Sequence, residues 1–151
     1  MYKHILVAID DSQTSRKALQ EAISLARLHN AELEIAHAVD ESVLETFSTH
    51  GVALADAKKI QGALLDSGQS TLDEAVHAAE EAGLKPKRRL LSSGDLHAAD
   101  QIAKAVVDSG ADLLVVGSHG RRGFQRLLLG SVAENLVRKV AVSVLIVRSP
   151  H

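Results

Sequence analysis

The stretch that decides the fold is Asp112–Ser131, DLLVVGSHGRRGFQRLLLGS, in which a short apolar run ends at the first of four glycines. The run before Gly117 is continuously apolar and too short for a buried helix, which is typical of a strand covered on both faces of a sheet. The last glycine, Gly130, precedes Ser131 at a predicted helix start. This stretch therefore predicts a strand, a glycine-rich loop and a helix, in that order.

Other short runs along the chain also have the character of strands. The five predicted strands are His4–Ile9, Glu32–Val39, Lys87–Ser93, Asp112–Gly117 and Ser143–Arg148. The first, fourth and fifth are continuously apolar, so we expect them to be covered on both faces. The segments between the runs have helical periodicity, which gives the order βαβαβαβαβ. This alternation predicts a three-layer α/β sandwich, with a five-stranded, mostly parallel sheet and helices on both faces.

The helical segments contain their own start and stop signals. Ser12 is placed to cap the first helix, and Asn30 lies near its end. The long segment from Ala53 to Ala82 has DSGQS at its middle, so it is either one helix with a kink or two helices. Gly110 suits a left-handed cap after the third helical segment. The tetrapeptide SVAE, which begins at residue 131, is typical of a capping box with its serine as the cap.

Composition limits the classes of protein that remain. The 151 residues, 46% of them hydrophobic, fit one domain over residues 1–151. The absence of cysteine excludes disulfides, thiolate metal sites and thiol nucleophiles, and it suits a cytoplasmic protein. The apolar run near the amino terminus is too short for a signal peptide or a membrane span. A net charge of −2 and 2% aromatic residues make nucleic acid an unexpected partner. The histidines show no metal-ligand spacing, so no metal site is predicted.

The glycine stretch has the composition of a phosphate-binding loop. Glycines permit close backbone approach, and the N–H groups at the start of a helix, together with the Ser131 hydroxyl, can donate to an anion. The stretch is not a Walker P-loop, because no lysine lies between Lys104 and Lys139. It is not the dinucleotide fingerprint either, since its spacing is GxxGxxG and the first strand-to-helix turn, IDDSQTS, has no glycine.

The complete spacing is G-x2-G-x9-G-[S/T], filled by Gly117, Gly120, Gly130 and Ser131. It resembles the ATP-binding motif of the universal stress protein family. The opening ILVAIDDSQTSRKAL, the segment GADLLVVGSHGRRG and the ending GSVAENLVRKVAVSVLIVR are also similar to that family, so the resemblance covers nearly the whole chain. One departure is Asp11, where the family often has glycine.

The resemblance implies a Rossmann-like, adenine nucleotide alpha hydrolase-like fold, with strand order 3-2-1-4-5 and a nucleotide site where strands one and four end. It implies that Asp10 faces the ribose or adenine, and that Val39 meets the adenine through its backbone. The glycines and the start of the last helix would surround the phosphates and ribose. The predicted cofactor-binding set is Ile9, Asp10, Val39, Gly117, Ser118, His119, Gly120, Arg121, Gly130, Ser131 and Val132.

Simpler roles stay open for several of these residues. The glycines can serve turns and a helix start alone, and Asp10 can be a turn or capping residue. Arg121 and Arg122 can contact phosphates or be solvated, and His119 can be a surface histidine. No Ser-His-Asp partnership is evident, so no catalytic residue is predicted.

The sequence therefore predicts an ATP-binding universal stress protein, a nucleotide-dependent stress-response regulator or sensor with little or no rapid catalysis. Rapid phosphoryl transfer needs positioned cations and a placed water, and the stretch lacks the Walker lysine, although Mg²⁺ can accompany ATP. The alternatives are a slow ATPase and a nucleotide-free dimeric adaptor. Besides the adenine nucleotide, the expected partners are an unidentified protein and a second copy of the chain. Family members usually dimerise through the last strand, which is Ser143–Arg148 here.

Overall fold

A computed structural model describes residues 1–41, 44–45, 49–51, 53–94, 96–119 and 129–149 of the chain. The strands are β1 (His4–Ala8), β2 (Glu32–Ala38), β3 (Lys87–Leu91), β4 (Leu113–Gly117) and β5 (Ser143–Val147). The main helices are α1 (Gln13–His29), α2 (Leu54–Glu81), α3 (Ala98–Ser109) and α4 (Ser131–Lys139). All five predicted strands are present, each slightly shorter than the sequence pattern suggested.

The strands form one parallel sheet in the order β3-β2-β1-β4-β5, as the family resemblance implied. The chain builds outward from β1 through β2 to β3 and then returns to place β4 on the other side of β1. The direction of sheet building therefore reverses between β1 and β4, which is where doubly wound sheets bind their ligands.

Two apolar cores hold the helices against the sheet. One core packs α1 and α2 against one face, through small α1 residues such as Ala22 and through Leu72 of α2. The other packs α3 and α4 against the opposite face, with Ile102 and Leu136 against Leu114. A fully buried leucine or isoleucine contributes about 1.5–3 kcal/mol relative to its exposed state, so both faces stabilise the sheet.

The fifth strand packs against both cores, as predicted, but it is less buried than the first and fourth strands. β1 and β4 are central and buried, but β5 is an edge strand in which Val144, Leu145 and Ile146 are only half-buried. Their side chains pack against the two cores from the end of the sheet. An edge strand lacks the second neighbour that completes burial, which is why its apolar composition does not match its exposure.

The caps predicted for α1 and α3 are present. Ser12 caps α1, and Asn30 ends it in the left-handed region at φ 52°. Gly110 ends α3 at φ 69°, as predicted.

α2 is one helix across the DSGQS segment. A methyl group at Gly68 would lie 2.9 Å from Leu90 Cδ1, so this glycine allows α2 to approach the sheet closely instead of breaking the helix.

The capping box predicted at the start of α4 is wrong by one residue. Gly130 occupies the N-cap and Ser131 is the first helical residue, so the serine does not cap the helix.

Among the residues that the structure describes, no helix combines the length and the apolar character that a membrane crossing needs.

Candidate functional site at the ends of β1 and β4

Most of the predicted site residues follow the carboxyl ends of β1 and β4. Ala8 lies opposite Val116 in the register of these neighbouring strands, so the two chains leave the sheet side by side. Two strand-to-helix connections therefore begin at the point where the strand order reverses. Such a point offers a crevice between connections that lead to opposite faces of the sheet.

Asp10 begins a turn that side-chain hydrogen bonds hold in place. Asp10 Oδ1 accepts the Ser12 N–H at 2.8 Å, and the Asp10 N–H donates to Ser15 Oγ at 2.8 Å. The Ser15 N–H donates to Ser12 Oγ at 3.2 Å, which caps α1. In the described part of the chain, no donor reaches the second carboxylate oxygen of Asp10, Oδ2. Asp10 is thus a turn residue that also presents an oxygen in a fixed position.

Gly117 packs the end of β4 against this turn. A methyl group at Gly117 would lie 3.0 Å from Thr14 Cγ2 and 3.3 Å from the Ser15 backbone nitrogen. A side chain at this position would require the first turn of α1 to shift by a few tenths of an ångström, so glycine suits this close approach. Because Ser15 also holds the Asp10 N–H, this contact brings the glycine stretch directly against the Asp10 turn.

Ser118 connects β4 to two further elements. It is 1% exposed, its N–H donates to the Val147 carbonyl at 2.9 Å, and its carbonyl accepts the Gly130 N–H at 2.7 Å. Its Oγ is hydrogen-bonded to His119 Nδ1 at 2.8 Å. Burial and these bonds give Ser118 a structural role, which is to fix the start of α4 at the end of β4.

The start of α4 has no serine cap. A methyl group at Gly130 would lie 2.9 Å from the Ser118 carbonyl oxygen, so the position has no room for a side chain. Glycine has no side-chain oxygen to accept the N–H groups of the first helical turn. Ser131 is exposed and Val132 is 39% exposed, so this turn is accessible. The turn can therefore donate its backbone N–H groups and the Ser131 hydroxyl to an anion.

Ile9 and Val39 lie on the β2 side of the site, and their backbone groups are partly engaged. The Ile9 N–H donates to the Ala36 carbonyl at 2.8 Å, and the buried His37 Nδ1–H donates to the Ile9 carbonyl at 2.7 Å. The Val39 N–H donates to the Leu91 carbonyl at 2.8 Å. Backbone recognition by Val39 is therefore expected to use its carbonyl oxygen, while Ile9 contributes through its packing in the core.

Gly120 and Arg121 of the predicted set, together with Arg122, lie outside the described residues. Their roles stay predictions. The other nine predicted residues are described, and Asp10, Gly117, Ser118 and Gly130 are connected through the contacts given above.

Sequence reasoning missed several polar residues that shape the site. Ser15 and Thr14 are buried at the first turn of α1, and His37 is buried beneath Ile9. These are polar residues at positions that the helix and strand patterns predict to be buried, and that mismatch is the signal by which they could have been found. Glu41, also buried, was missed in the same way.

Glu41 belongs to a recess at the ends of β2 and β3, which we call the β2–β3 recess. It is lined by Val39, Asp40, Glu41, Glu45, Gly94, Leu96, His97 and Ala98. The recess therefore includes Val39, for which the family resemblance implies adenine recognition, and the first residue of α3.

Two carboxylates with lowered pKa values lie at the amino-terminal ends of the strands, on the side of the sheet opposite to the candidate site. Desolvation acts to raise the pKa of Asp112, but the N–H groups of Lys3 and His4, at 2.9 and 3.1 Å, hold it below its usual value. The hydrogen bond and charge of Lys87 lower the pKa of Glu32. These groups stabilise the fold at the edge away from the candidate site.

The residues present fit an adenine nucleotide. A helix start with N–H groups not capped by its own N-cap residue suits phosphate, and a fixed carboxylate oxygen suits a ribose hydroxyl. Among the described residues, no group of three or more histidine or acidic side chains is arranged to hold a metal ion. Mg²⁺ bound with a triphosphate would accordingly take its ligands mainly from phosphate oxygens and water.

Comparison with known proteins gives a consistent family. The universal stress protein family model matches residues 1–148. The universal stress protein YxiE of Bacillus subtilis is 34% identical over 151 residues, covering 98% of this chain and 100% of the relative. The solved structure of MJ0577, a universal stress protein of Methanocaldococcus jannaschii, is 26% identical with a TM-score of 0.82, and the match covers 100% of this chain and 99% of that one.

A universal stress protein crystallised in complex with cAMP is 29% identical to this chain, with a TM-score of 0.71 and 99% coverage of both chains. The matched region, the strand order and the sequence identities agree with one another. The chain belongs to the universal stress protein family.

Proposed function

We propose that the chain binds an adenine nucleotide, with ATP as its ligand, where β1 and β4 end. The observation that carries this proposal is that the Asp10 turn and the start of α4 both pack against the end of β4. Gly117 packs the end of β4 on the Asp10 turn, and Gly130 packs the start of α4 on Ser118 of the same connection. A helix start that can receive phosphate and a carboxylate that can receive a ribose hydroxyl are thus connected through a few buried contacts. The cAMP complex of a relative supports the adenine part of the proposal.

Each part of the nucleotide has a proposed contact. The phosphates accept from the N–H groups at the start of α4 and from Ser131, a placement that also benefits from the positive end of the helix dipole. A ribose hydroxyl donates to Asp10 Oδ2, and the adenine lies near the Val39 carbonyl. Gly120, Arg121 and His119 are proposed to complete the phosphate side, with Mg²⁺ carried by the triphosphate.

The proposed role is regulatory. The nucleotide acts as a signal in a cytoplasmic stress response, and its binding changes the order of the surrounding loops or the affinity for a protein partner. The slow-ATPase alternative depends on Asp10 orienting a water. It predicts a turnover above the buffer background that disappears in Asp10→Ala and Ser131→Ala, measured as phosphate release.

We also propose a homodimer through β5. The two edges of the sheet differ in character: β3 carries Lys87, Arg88 and Arg89, each in an ion pair with an acidic residue, whereas β5 carries SVLIV. Charged edges resist pairing and apolar edges favour it. Light scattering is expected to give twice the chain mass of 16.1 kDa. A monomer at tens of micromolar, about the range where weak dimers dissociate, contradicts this proposal.

The nucleotide proposal is tested by calorimetric titration of ATP, after any co-purified nucleotide has been released by denaturation and identified by mass spectrometry. Asp10→Asn is the sharpest variant, because it preserves an Oδ1 acceptor for Ser12 and replaces the oxygen proposed to meet the ribose. We expect ATP affinity to fall about tenfold, the loss typical of one charge-assisted hydrogen bond. Asp11→Asn is the matched control and is expected to have little effect. Wild-type protein that binds no adenine nucleotide up to millimolar concentration refutes the proposal.

A further inference from the structure

The β2–β3 recess contains a buried carboxylate that the nucleotide contacts described above do not use. Glu41 is 8% exposed, and Ser92 Oγ donates a hydrogen bond to its Oε1. In the described part of the chain, no donor reaches the other oxygen, Oε2. Ser92 occupies Oε1, so Oε2 is the carboxylate oxygen that can accept a hydrogen bond from a group entering the recess.

The second oxygen of Glu41 lies beside Gly94, and both residues line the recess. A methyl group at Gly94 would lie 3.6 Å from Glu41 Oε2. Val39 lines the same space. The first residue of α3, Ala98, is also part of the lining, and the positive end of that helix favours a negative charge nearby. The recess therefore holds a fixed acceptor beside the position proposed for adenine.

We infer that Glu41 is a specificity-determining residue that selects adenine over guanine, an inference that depends on the nucleotide site proposed above. Glu41 Oε2 accepts a hydrogen bond from the 6-amino group of the base, while Ser92 holds Oε1 and so sets the direction of the carboxylate. Guanine presents a carbonyl oxygen at the same ring position, and two acceptors facing each other in a buried site repel. The ligand class is thus the 6-aminopurine nucleotides.

The test compares ligands before it compares proteins. The wild-type chain is titrated with ATP, GTP and the triphosphate of purine riboside, which has hydrogen in place of the 6-amino group. We expect ATP to bind about tenfold or more tightly than purine riboside triphosphate, because a hydrogen bond to a charged group is lost, and GTP to bind more weakly still. Equal affinity for ATP and purine riboside triphosphate overturns the inference while leaving the nucleotide site intact. Failure to bind any of the three overturns both.

Variants then assign the preference to Glu41. In Glu41→Gln the amide can present either a donor or an acceptor, so the ratio of ATP to GTP affinity is expected to fall about tenfold. Glu74→Gln removes a carboxylate from an exposed position of α2, away from the recess, and is the matched control, with the wild-type ratio expected. Ser92→Ala releases Oε1 and is expected to give a smaller loss of the same preference. It serves as the test variant if Glu41→Gln does not fold. An unchanged ratio in the folded test variant contradicts the assignment to Glu41.

Discussion

The two helices that begin at the candidate site start in different ways. α1 starts with a side-chain cap, in which Ser12 Oγ accepts the Ser15 N–H and Asp10 Oδ1 accepts the Ser12 N–H. α4 starts at Gly130, which has no side chain and packs against Ser118. At the start of α1, side-chain oxygens accept backbone N–H groups. At the start of α4, the N-cap residue has no side-chain oxygen, so it leaves the N–H groups of the first turn available. This difference is the reason that we propose the helix after β4, and not the one after β1, as the phosphate position.

The largest effect that we expect comes from filling the space at Gly130. In Gly130→Ala the new methyl group meets the Ser118 carbonyl, so α4 must shift, and overpacking of this kind costs about 1–3 kcal/mol of folding free energy. The shift also moves the phosphate-binding turn, so ATP affinity is expected to fall about tenfold or more. Urea unfolding and calorimetry measure the two effects.

Gly62→Ala is the matched control for this change. Gly62 lies within α2 with no atom within 4 Å of the added methyl group, so alanine is expected to stabilise the chain by about 0.5–1 kcal/mol and to leave ATP affinity unchanged. Wild-type stability and ATP affinity in Gly130→Ala would show that the start of α4 does not depend on this close packing.

Ser131→Ala sharpens the comparison at the second helix start. Ser131 is exposed and does not cap α4, so stability is expected to change by no more than about 0.5 kcal/mol. Loss of the hydroxyl contact to phosphate is expected to weaken ATP binding by about tenfold, with a smaller effect for AMP. A variant that loses stability but keeps full ATP affinity would return Ser131 to the capping role that its sequence suggests.

Ser12→Ala is the same chemical change at the first helix start, with the opposite expectation. The variant loses the cap of α1, which costs about 1 kcal/mol of folding free energy. ATP affinity is expected to change much less than in Ser131→Ala, because Asp10 keeps its bonds to the Ser12 N–H and to Ser15. Urea unfolding and ATP titration of both variants in parallel test the comparison; equal effects on binding would contradict it.

The smallest effect is expected at the amino-terminal edge of the sheet. The pKa of Asp112 is lowered in the folded chain, so its ionised form stabilises the fold above the unfolded pKa, near 3.8, and this contribution is lost as the pH falls through the folded value. Asp112→Asn is expected to be less stable than wild type near neutral pH, with a difference that shrinks in acid. ATP affinity near neutral pH should not change. A stability difference that grows as the pH falls has the wrong sign for this account.

The features that depend on local chemistry could be predicted from the sequence. The Ser12 cap, the end of α1 near Asn30, the left-handed end at Gly110 and the strands themselves follow from residues within a few positions of each other. The resemblance to a known family supplied the strand order, which local patterns leave open. The position of the candidate site was predicted from that order.

The features that were missed depend on contacts between distant residues. Gly68 resembled a helix break, but its role is set by Leu90 on β3. The sequence around Ser131 is typical of an N-cap, but the N-cap is Gly130, where the nearby Ser118 carbonyl leaves no room for a side chain. The buried Glu41 lies beyond the end of β2, and its partner Ser92 follows β3. Sequence periodicity does not predict which residues far apart in the chain come into close contact. At about 3 Å, van der Waals contact between carbon atoms is already repulsive, so such contacts decide which side chains fit.

The most direct test of the account is an amide NMR titration of the ¹⁵N-labelled chain with ATP. The account predicts that the largest shifts among the helix starts fall on Ser131, Val132 and Ala133, and that the Thr14 and Ser15 amides shift little. Perturbations centred on the start of α1, with none at the start of α4, would contradict the claim that the glycine-started helix holds the phosphates.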